Sequence, residues 1–403
     1  MKSNLPTSNL FLSDAKRHKV LHVVNGEHYA GAARVQDLLA QHLPANGFDV
    51  QFATLLSGRF AEQRVCQDVP LECVPMQHRL DLRAAKSIAA IVQRDGISLL
   101  HSHTTRSAMI AAAASYLSHV PFVHHVHCQM NTEVGSRWKS QLNLWIERTA
   151  CRRAVQTIAV SDSIRQFMKG AGFRTDHCEV VPNGVPAPAE TKSERLMSDS
   201  WTIGMVALLR ERKGLETLLK SLPLLKAAQN VRLKIVGPFE TPEYERQIHD
   251  LANQLGISDQ VQWTGFSSNV SGELLDMDVL VLPSVLAEGM PMVLLEAMAS
   301  GIPIVGSNVD GITDVIQHQQ NGLLSTPGCP NSLAEQLNLV LSGVVDWRLL
   351  RKNCQRKYHS RFSSKVMAEG VANVYRRVLP AQSVFDETQL PLNADRQHVL
   401  ETA

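Results

Sequence analysis

Short β-branched runs alternate with helical stretches twice along this chain, and that doubling limits the possible folds more than any other feature. In the first series strands are expected at Val20–Val24, Asp49–Leu55, Leu71–Val74, Leu99–His101, Phe122–Val126, Thr157–Val160 and Glu179–Val181. Helices fit between them at Ala32–Leu43, Leu82–Arg94, Ser107–Leu117, Gly135–Arg153 and Asp162–Gly170. A second series runs through Trp201–Ala207, Leu215–Ala228, Val231–Val236, Pro242–Leu255, Val261–Thr264, Ser271–Asp276, Val279–Leu282, Met292–Ala299, Pro303–Gly306, Thr313–Ile316 and Leu333–Leu341. Strands that alternate with helices pair in parallel and make a doubly wound sheet. Between the series, Pro182 to about Asp199 is rich in Pro, Ser and charge, as a linker is. The expected organisation is an arm (1–19), two α/β domains (20–186 and 187–363), a closing helical segment (364–380) and a polar tail (381–403). Two such sheets leave a cleft between the carboxyl ends of their strands, where open α/β sheets bind ligands.

Composition narrows the class further. At 403 residues the chain exceeds one ordinary core. Hydrophobic residues make up 44% and charged residues 19%, the balance of a globular protein. A net charge of +2 does not point to a nucleic-acid partner. The seven cysteines have no C-x-x-C pair or zinc spacing, which suits free thiols in a reducing compartment. No apolar run approaches the ~20 residues that span a bilayer, and Lys19–Val24 is too short for a signal peptide. The expectation is a soluble cytoplasmic protein, with contact at a membrane surface left open.

Chemistry concentrates in the run Glu288-Gly289-Met290-Pro291 through Glu296 to Pro303, between a strand and a Met/Leu-rich helix. Glu288 is expected in the loop and Glu296 about two turns into the helix, at roughly 1.5 Å rise per residue. Gly289 allows backbone to approach a ligand, and a helix start offers N–H groups to a phosphate. One carboxylate at the mouth and one deeper suit a ligand with two sets of hydroxyls, such as a sugar nucleotide.

Other constellations are weaker alone. In Asn25–Arg34 the small residues Gly31, Ala32 and Ala33 leave room for a diphosphate at a helix start. The segment Ile203–Gly214 ends in Arg210-Glu211-Arg212-Lys213-Gly214, which is either a cation site for a diphosphate or a solvated basic turn. Histidines cluster at 101, 103, 124, 125 and 127. Alternation puts His101 with His103, and His125 with His127, on one face of their strands. A metal site is conceivable there, though no carboxylate or cysteine completes a known spacing. In Ser136–Arg153, Trp138, Leu142, Trp145 and Thr149 share a helical stripe flanked by Arg and Lys. That pattern fits an interfacial helix or an apolar face packed on the sheet. The packed reading is preferred, because Glu147 and modest charge density weaken the other.

The run from Glu288 to Glu296 resembles the E-x7-E signature of retaining glycosyltransferases of family four. The resemblance extends from Val20 to Val378, with Ala159-Val160-Ser161, Pro182-Asn183-Gly184-Val185, Val261–Phe266 and Asn321–Leu324 in order around it. It implies a GT-B architecture, two Rossmann-like domains facing across a cleft, with the acceptor on the first, the donor on the second and the last helix crossing back. It implies transfer of a hexose from a UDP- or GDP-sugar to a hydroxyl acceptor, such as a lipid-linked glycan or lipopolysaccharide core, by a metal-independent route. By the same resemblance, Lys213 and an Arg hold the diphosphate. Leu208 occupies the family's Arg position, so Arg210 takes the role provisionally, with Arg212 as competitor. Glu296 holds the ribose, and Glu288 with Gly289, Met290 and Pro291 orients the hexose. Gly31 and Gly265 line the donor site, His127 lies near the transferring carbon, and His103 faces the acceptor. Two other readings are a sugar-nucleotide epimerase of the same fold and a non-catalytic sugar-nucleotide-binding subunit.

Overall fold

A computed structural model describes residues 17–29, 31–129, 137–192, 200–226 and 230–380, without the side chains of 137–139. Most of the expected arm, part of the linker and the polar tail lie outside them.

Seven strands form the first sheet: β1 (His18–Val24), β2 (Phe48–Thr54), β3 (Leu71–Cys73), β4 (Ile97–Ser102), β5 (Phe122–Val126), β6 (Gln156–Ala159) and β7 (Cys178–Val180). Their order is β3-β2-β1-β4-β5-β6-β7, every pairing parallel. Six strands form the second: β8 (Trp201–Val206), β9 (Val231–Val236), β10 (Val261–Gly265), β11 (Val279–Leu282), β12 (Ile304–Ser307) and β13 (Leu323–Ser325). They run β10-β9-β8-β11-β12-β13, again all parallel. Both sheets reverse their winding between the first and fourth strands of the series. Ligands of open α/β sheets bind at that reversal, outside the carboxyl ends of the strands.

The helices are α1 (Ala32–His42), α2 (Arg59–Gln63), α3 (Arg83–Asp95), α4 (Thr105–Ser118), α5 (Arg137–Arg153) and α6 (Asp162–Gly170) in the first half. The second half holds α7 (Leu215–Ser221), α8 (Pro242–Gln254), α9 (Val270–Leu275), α10 (Met292–Ser300), α11 (Pro330–Leu341), α12 (Trp347–Lys357) and α13 (Ser364–Val378). Crossover helices cover both sheet faces, so β5 and β11 are buried at every position.

Three expectations change. The helix from Leu215 stops at Ser221, where Pro223 tightens the chain into a 3₁₀ turn over Leu222–Leu224. Proline supplies no N–H and its ring clashes with the preceding turn of an α-helix. Thr313–Ile316 forms hydrogen-bonded turns and no helix. The polar α12 was not expected; its buried side is little more than Leu350 and Cys354, too thin a stripe to read as periodicity.

The chain passes between halves at one tight crossing. Val185 forms a parallel bridge to Ser363, and Ser364 N–H donates to the Val185 carbonyl at 2.9 Å. A Cβ on Gly184 would stand 2.4 Å from the Ser363 oxygen, so a bulkier residue does not fit. From there α13 packs on α1, and Tyr375 buries its ring edge-on against Phe48 of the first half.

Candidate active site

The carboxyl ends of β8 and β11 bring the basic turn and the glutamate loop together. Gly214 makes this possible. Its φ is +72°, and a Cβ there would lie 2.0 Å from the Pro283 carbonyl oxygen. The turn therefore lies directly on the end of β11. Lys213 Nζ pairs with Glu288 Oε1 at 2.7 Å, and Ser284 Oγ donates to the same oxygen at 2.7 Å. Arg212 reaches Glu288 Oε2 at 3.7 Å and the Ala287 carbonyl at 3.3 Å. Glu288 is buried, and burial lowers the Lys213 ammonium from its usual value against the opposing pull of Glu288.

Arg210, the provisional diphosphate ligand, does not pair with Glu288, though it is near enough to Lys213 to help lower its ammonium. It pairs with Glu240 at 3.4 Å on the exposed side of the turn. The geometry brings its competitor Arg212 to Glu288 instead. Arg210 is still extended, and the 3₁₀ turn that carries Arg212 and Lys213 toward Glu288 begins only at Glu211. Leu208 is 44% exposed and contributes no charge.

Met292 opens α10, so Glu296 stands about one turn into the helix, and the two turns expected from the sequence are not there. Its carboxylate accepts from Arg34 Nη2 of α1 at 2.5 Å. This pair joins the two halves. Arg34 belongs to the small-residue loop noticed in the sequence, but no spacing links residue 34 to residue 296. Gly31, which precedes α1, has φ +44° and open space where a Cβ would be. Gly265 at the end of β10 has φ +71° and is equally open, with Phe266 beside it 69% exposed.

On the facing edge stand the histidines. His22 of β1, which the sequence reading passed over, joins His101, His103, His125 and His127 in one stack, with ring centroids 4.1–5.6 Å apart in neighbouring pairs. His103 Nδ1 and His127 Nε2 share a hydrogen bond of 2.9 Å. His101 Nδ1 and His22 Nε2 meet the Tyr375 hydroxyl at 2.5 and 3.3 Å. Burial lowers all five, to about 3 for His22 and His127 and well below the usual range for the other three; repulsion from neighbouring imidazoles adds to it at His101, His103 and His125, and from His124 at His127. Near neutral pH these rings are uncharged. His124 turns the other way, to Ser102 and to Glu147 of α5. Ring nitrogens of His22, His101 and His103 lie within 4.8 Å of one another, as do those of His103, His125 and His127. Both groups consist of histidine alone.

The two edges touch. A Cβ on Gly289 would stand 1.8 Å from the His127 carbonyl oxygen, so glycine alone fits there. Ser161 Oγ donates to the Gly289 carbonyl at 3.4 Å and Asn183 Nδ2 to that of Met290 at 3.3 Å. Ser163 Oγ donates to Asp314 at 2.5 Å, and Asp314 also accepts from Gly311 N–H at 3.1 Å. Gly311 packs under the carbonyls of Glu288 and Gly289. The glutamate loop is thus fixed from both halves. The sequence has one D-x-D spacing, Asp276-Met277-Asp278, at the opposite edge before β11. There Asp276 pairs with Lys234 and Asp278 with Lys192.

The chain is similar to known proteins over both halves. The model for "Glycosyltransferase Family 4" matches residues 29–187, and that for "Glycosyl transferases group 1" matches residues 187–357. An uncharacterized glycosyltransferase of Methanocaldococcus jannaschii is 28% identical over 307 residues, covering 70% of this chain and 76% of its own. The Escherichia coli UDP-Gal:alpha-D-GlcNAc-diphosphoundecaprenol alpha-1,3-galactosyltransferase is 23% identical, covering 89% and 96%. A crystal structure of Anabaena HepE in complex with UDP superposes with a TM-score of 0.79 at 22% identity, covering 89% of this chain and 99% of that one; HepE is also solved with UDP-glucose. Two parallel sheets of Rossmann order meet at a carboxylate–cation cluster, and both family models match in the matching order. The chain belongs to the group 1, family 4 glycosyltransferases of GT-B fold and is a transferase.

Proposed function

We propose that this chain moves a hexose, with retention of configuration and without a metal ion, from a UDP- or GDP-sugar to a hydroxyl of a lipid-linked or cell-surface glycan. The observation that carries this reading is the Lys213–Glu288–Ser284 cluster held against His127 by Gly289. In it, Lys213 and Arg212 face the diphosphate as the sugar C1–O bond breaks and its electron pair moves to phosphate. Fixed cations are worth most where water is excluded. Glu288 and the backbone of Gly289, Met290 and Pro291 orient the hexose, and Glu296 takes the ribose hydroxyls. His127, uncharged and oriented by His103, presents a hydrogen bond to the sugar and does not act as a cation. His103 lies behind it on the acceptor side. Gly31 and Gly265 leave open space beside the donor.

The nucleotide is supported by HepE with UDP and UDP-glucose, and the lipid-linked acceptor by the galactosyltransferase relative. That relative also supports a place in polysaccharide or glycolipid assembly. Among the described residues no helix is long and apolar enough to cross one.

The test is transfer from UDP- and GDP-sugars to a diphosphoprenyl glycan, with and without EDTA, and proton NMR of the new anomeric centre. The expected product keeps the donor's α or β configuration, at a rate EDTA leaves unchanged. Inversion, or loss of activity restored by a divalent ion, contradicts the mechanism.

A further inference from the structure

The histidine stack has more bonding capacity than the protein uses. Strand register builds it. Ser102 pairs with His124 across β4 and β5, so the next residues, His103 and His125, stand side by side, and His127 follows on the same face. His22 pairs with His101 in the same way across β1 and β4. Several of these ring nitrogens lack a hydrogen-bond partner among the described residues: Nδ1 of His22, Nε2 of His101 and His103, both nitrogens of His125, and Nδ1 of His127. Buried polar groups are normally paired, because an unmade bond forfeits the one the group had to water. His125 is the plainest case. Its ring is fully buried, neither nitrogen is bonded, and it lies among His101, His103 and His127 at centroid distances of 4.4–5.6 Å.

What such a set can bind follows from its donors. A neutral imidazole offers one lone pair and is a good ligand for zinc(II). Burial keeps these rings in that form near neutral pH. Three imidazoles and one open position are a sufficient set for the ion. Two trios have the reach, with ligand nitrogens within 4.8 Å of one another. The inner one, His22, His101 and His103, is sealed: all three are buried, and the first two are tied to the Tyr375 hydroxyl. The outer one, His103, His125 and His127, ends at the cleft, where the His103–His127 pair is only partly buried. That gives an ion a way in and leaves its fourth position toward the cleft. His103 Nδ1 and His127 Nε2 stand 2.9 Å apart, close to the ~3.3 Å between two ligands of a tetrahedral zinc with bonds of about 2.05 Å. The ion would replace the proton that this pair shares. The donor ring moves that proton to its other nitrogen, so both rings stay neutral and none is released.

We propose that His103, His125 and His127 form a three-imidazole zinc(II) site on the first edge of the cleft, and that zinc bound there holds transfer down. The ion is no part of the reaction. It engages the His127 ring and so competes with the hexose for it; this half of the proposal rests on the placing of His127 beside the sugar. Binding of the ion rests on the three rings alone. Lys213, Glu288 and Glu296 belong to the other edge, so the nucleotide still binds when zinc is present.

The experiment titrates cobalt(II), a coloured substitute for zinc, into the metal-free full chain without a histidine tag. Wild type is expected to show the strong visible absorption of four-coordinate cobalt, saturating at one ion per chain and erased by zinc(II). Loss of a group behind a metal ligand costs roughly 10–100-fold in affinity, so loss of a ligand should cost about 100-fold or more. His125→Leu and His127→Asn are therefore expected to lose the band, and His22→Leu to keep it, with melting followed by circular dichroism to show that each folds. In the transfer assay zinc(II) is expected to slow wild type at least tenfold, and EDTA to restore it. Weak six-coordinate absorption alone, a thiolate-to-cobalt band, or a band that survives both His125→Leu and His127→Asn overturns the site. So does a band lost in His22→Leu and kept in His125→Leu, which would assign the ion to the inner trio. No band with transfer intact overturns the site and leaves the transfer reading standing. A band without slowed transfer overturns the inhibition, and with it the placing of His127 beside the sugar.

Discussion

The two facing edges share a strand order and differ in how they handle charge. The edge of the second half is ionic: Glu288 is held by Lys213, and Glu296 by Arg34 reaching over from the first half. The edge of the first half is built from five neutral imidazoles, buried and discharged. An ionic edge suits a nucleoside diphosphate, whose charge must be matched when the sugar leaves. A neutral hydrogen-bonding edge suits an acceptor hydroxyl and the hexose. The contrast assigns the steep electrostatic work to one side of the cleft and orientation to the other.

Substitutions test the contrast unequally. Lys213→Ala should have the largest effect, lowering kcat/KM about 100- to 1,000-fold, the range for removing one preorganised donor at a charged transition state. Steady-state transfer measures it, and a loss under tenfold would move the clamp elsewhere. Gly289→Ala forces a Cβ against the His127 carbonyl and separates the edges. Misplacement by about 1 Å costs roughly 100-fold, so the drop should appear in kcat while nucleotide binding to the second half changes less. Glu296→Ala removes charge-assisted hydrogen bonds worth about 1.5–3 kcal/mol. Calorimetry should show donor affinity falling about tenfold or more, and intact affinity would refute the ribose assignment. Arg212→Ala should slow transfer about tenfold, whereas Arg210→Ala should be nearly silent, since its exposed pair with Glu240 is worth at most about 1 kcal/mol. The reverse ranking would restore Arg210.

The smallest effect concerns the neutral edge. All five histidines titrate lower in the fold than the 6.5 of a free imidazole. The unfolded chain therefore takes up protons at a pH where the folded one does not. Their contribution to stability is complete above about 6.5 and declines as pH falls toward the folded values, about 3 for His22 and His127. The thermal midpoint should drop between pH 7.5 and 5, and His125→Leu should flatten that slope. An unchanged slope would mean that the stack is not what titrates.

How much of this was legible in the sequence depended on locality. The paired sheets were, because strand and helix periods are written in neighbouring residues, and so was the loop from Glu288 to Glu296. Arg34 on Glu296, His22 in the stack and Asp314 under the loop were not. Each depends on partners far apart in the chain: His22 meets His101 through the β1–β4 pairing, and Arg34 and Asp314 meet their partners across the two halves. The pairing of Arg212 with Glu288 was not legible because it depends on a 3₁₀ turn, Glu211–Lys213, that the basic run does not announce. The face of α5 was misread because such a stripe is the same whether packed or exposed: Trp145 and Leu142 are exposed, and Ile146, Ala150 and Cys151 are buried instead.

The central claim is that the ionic edge is the donor site. Isothermal titration of UDP, GDP and their hexose derivatives into wild type and Lys213→Ala, each with and without EDTA, tests it most directly. The account predicts that one nucleotide binds the wild type, that EDTA leaves the affinity unchanged, and that Lys213→Ala weakens it at least tenfold. Binding that survives Lys213→Ala, or no binding by any nucleotide, would contradict it.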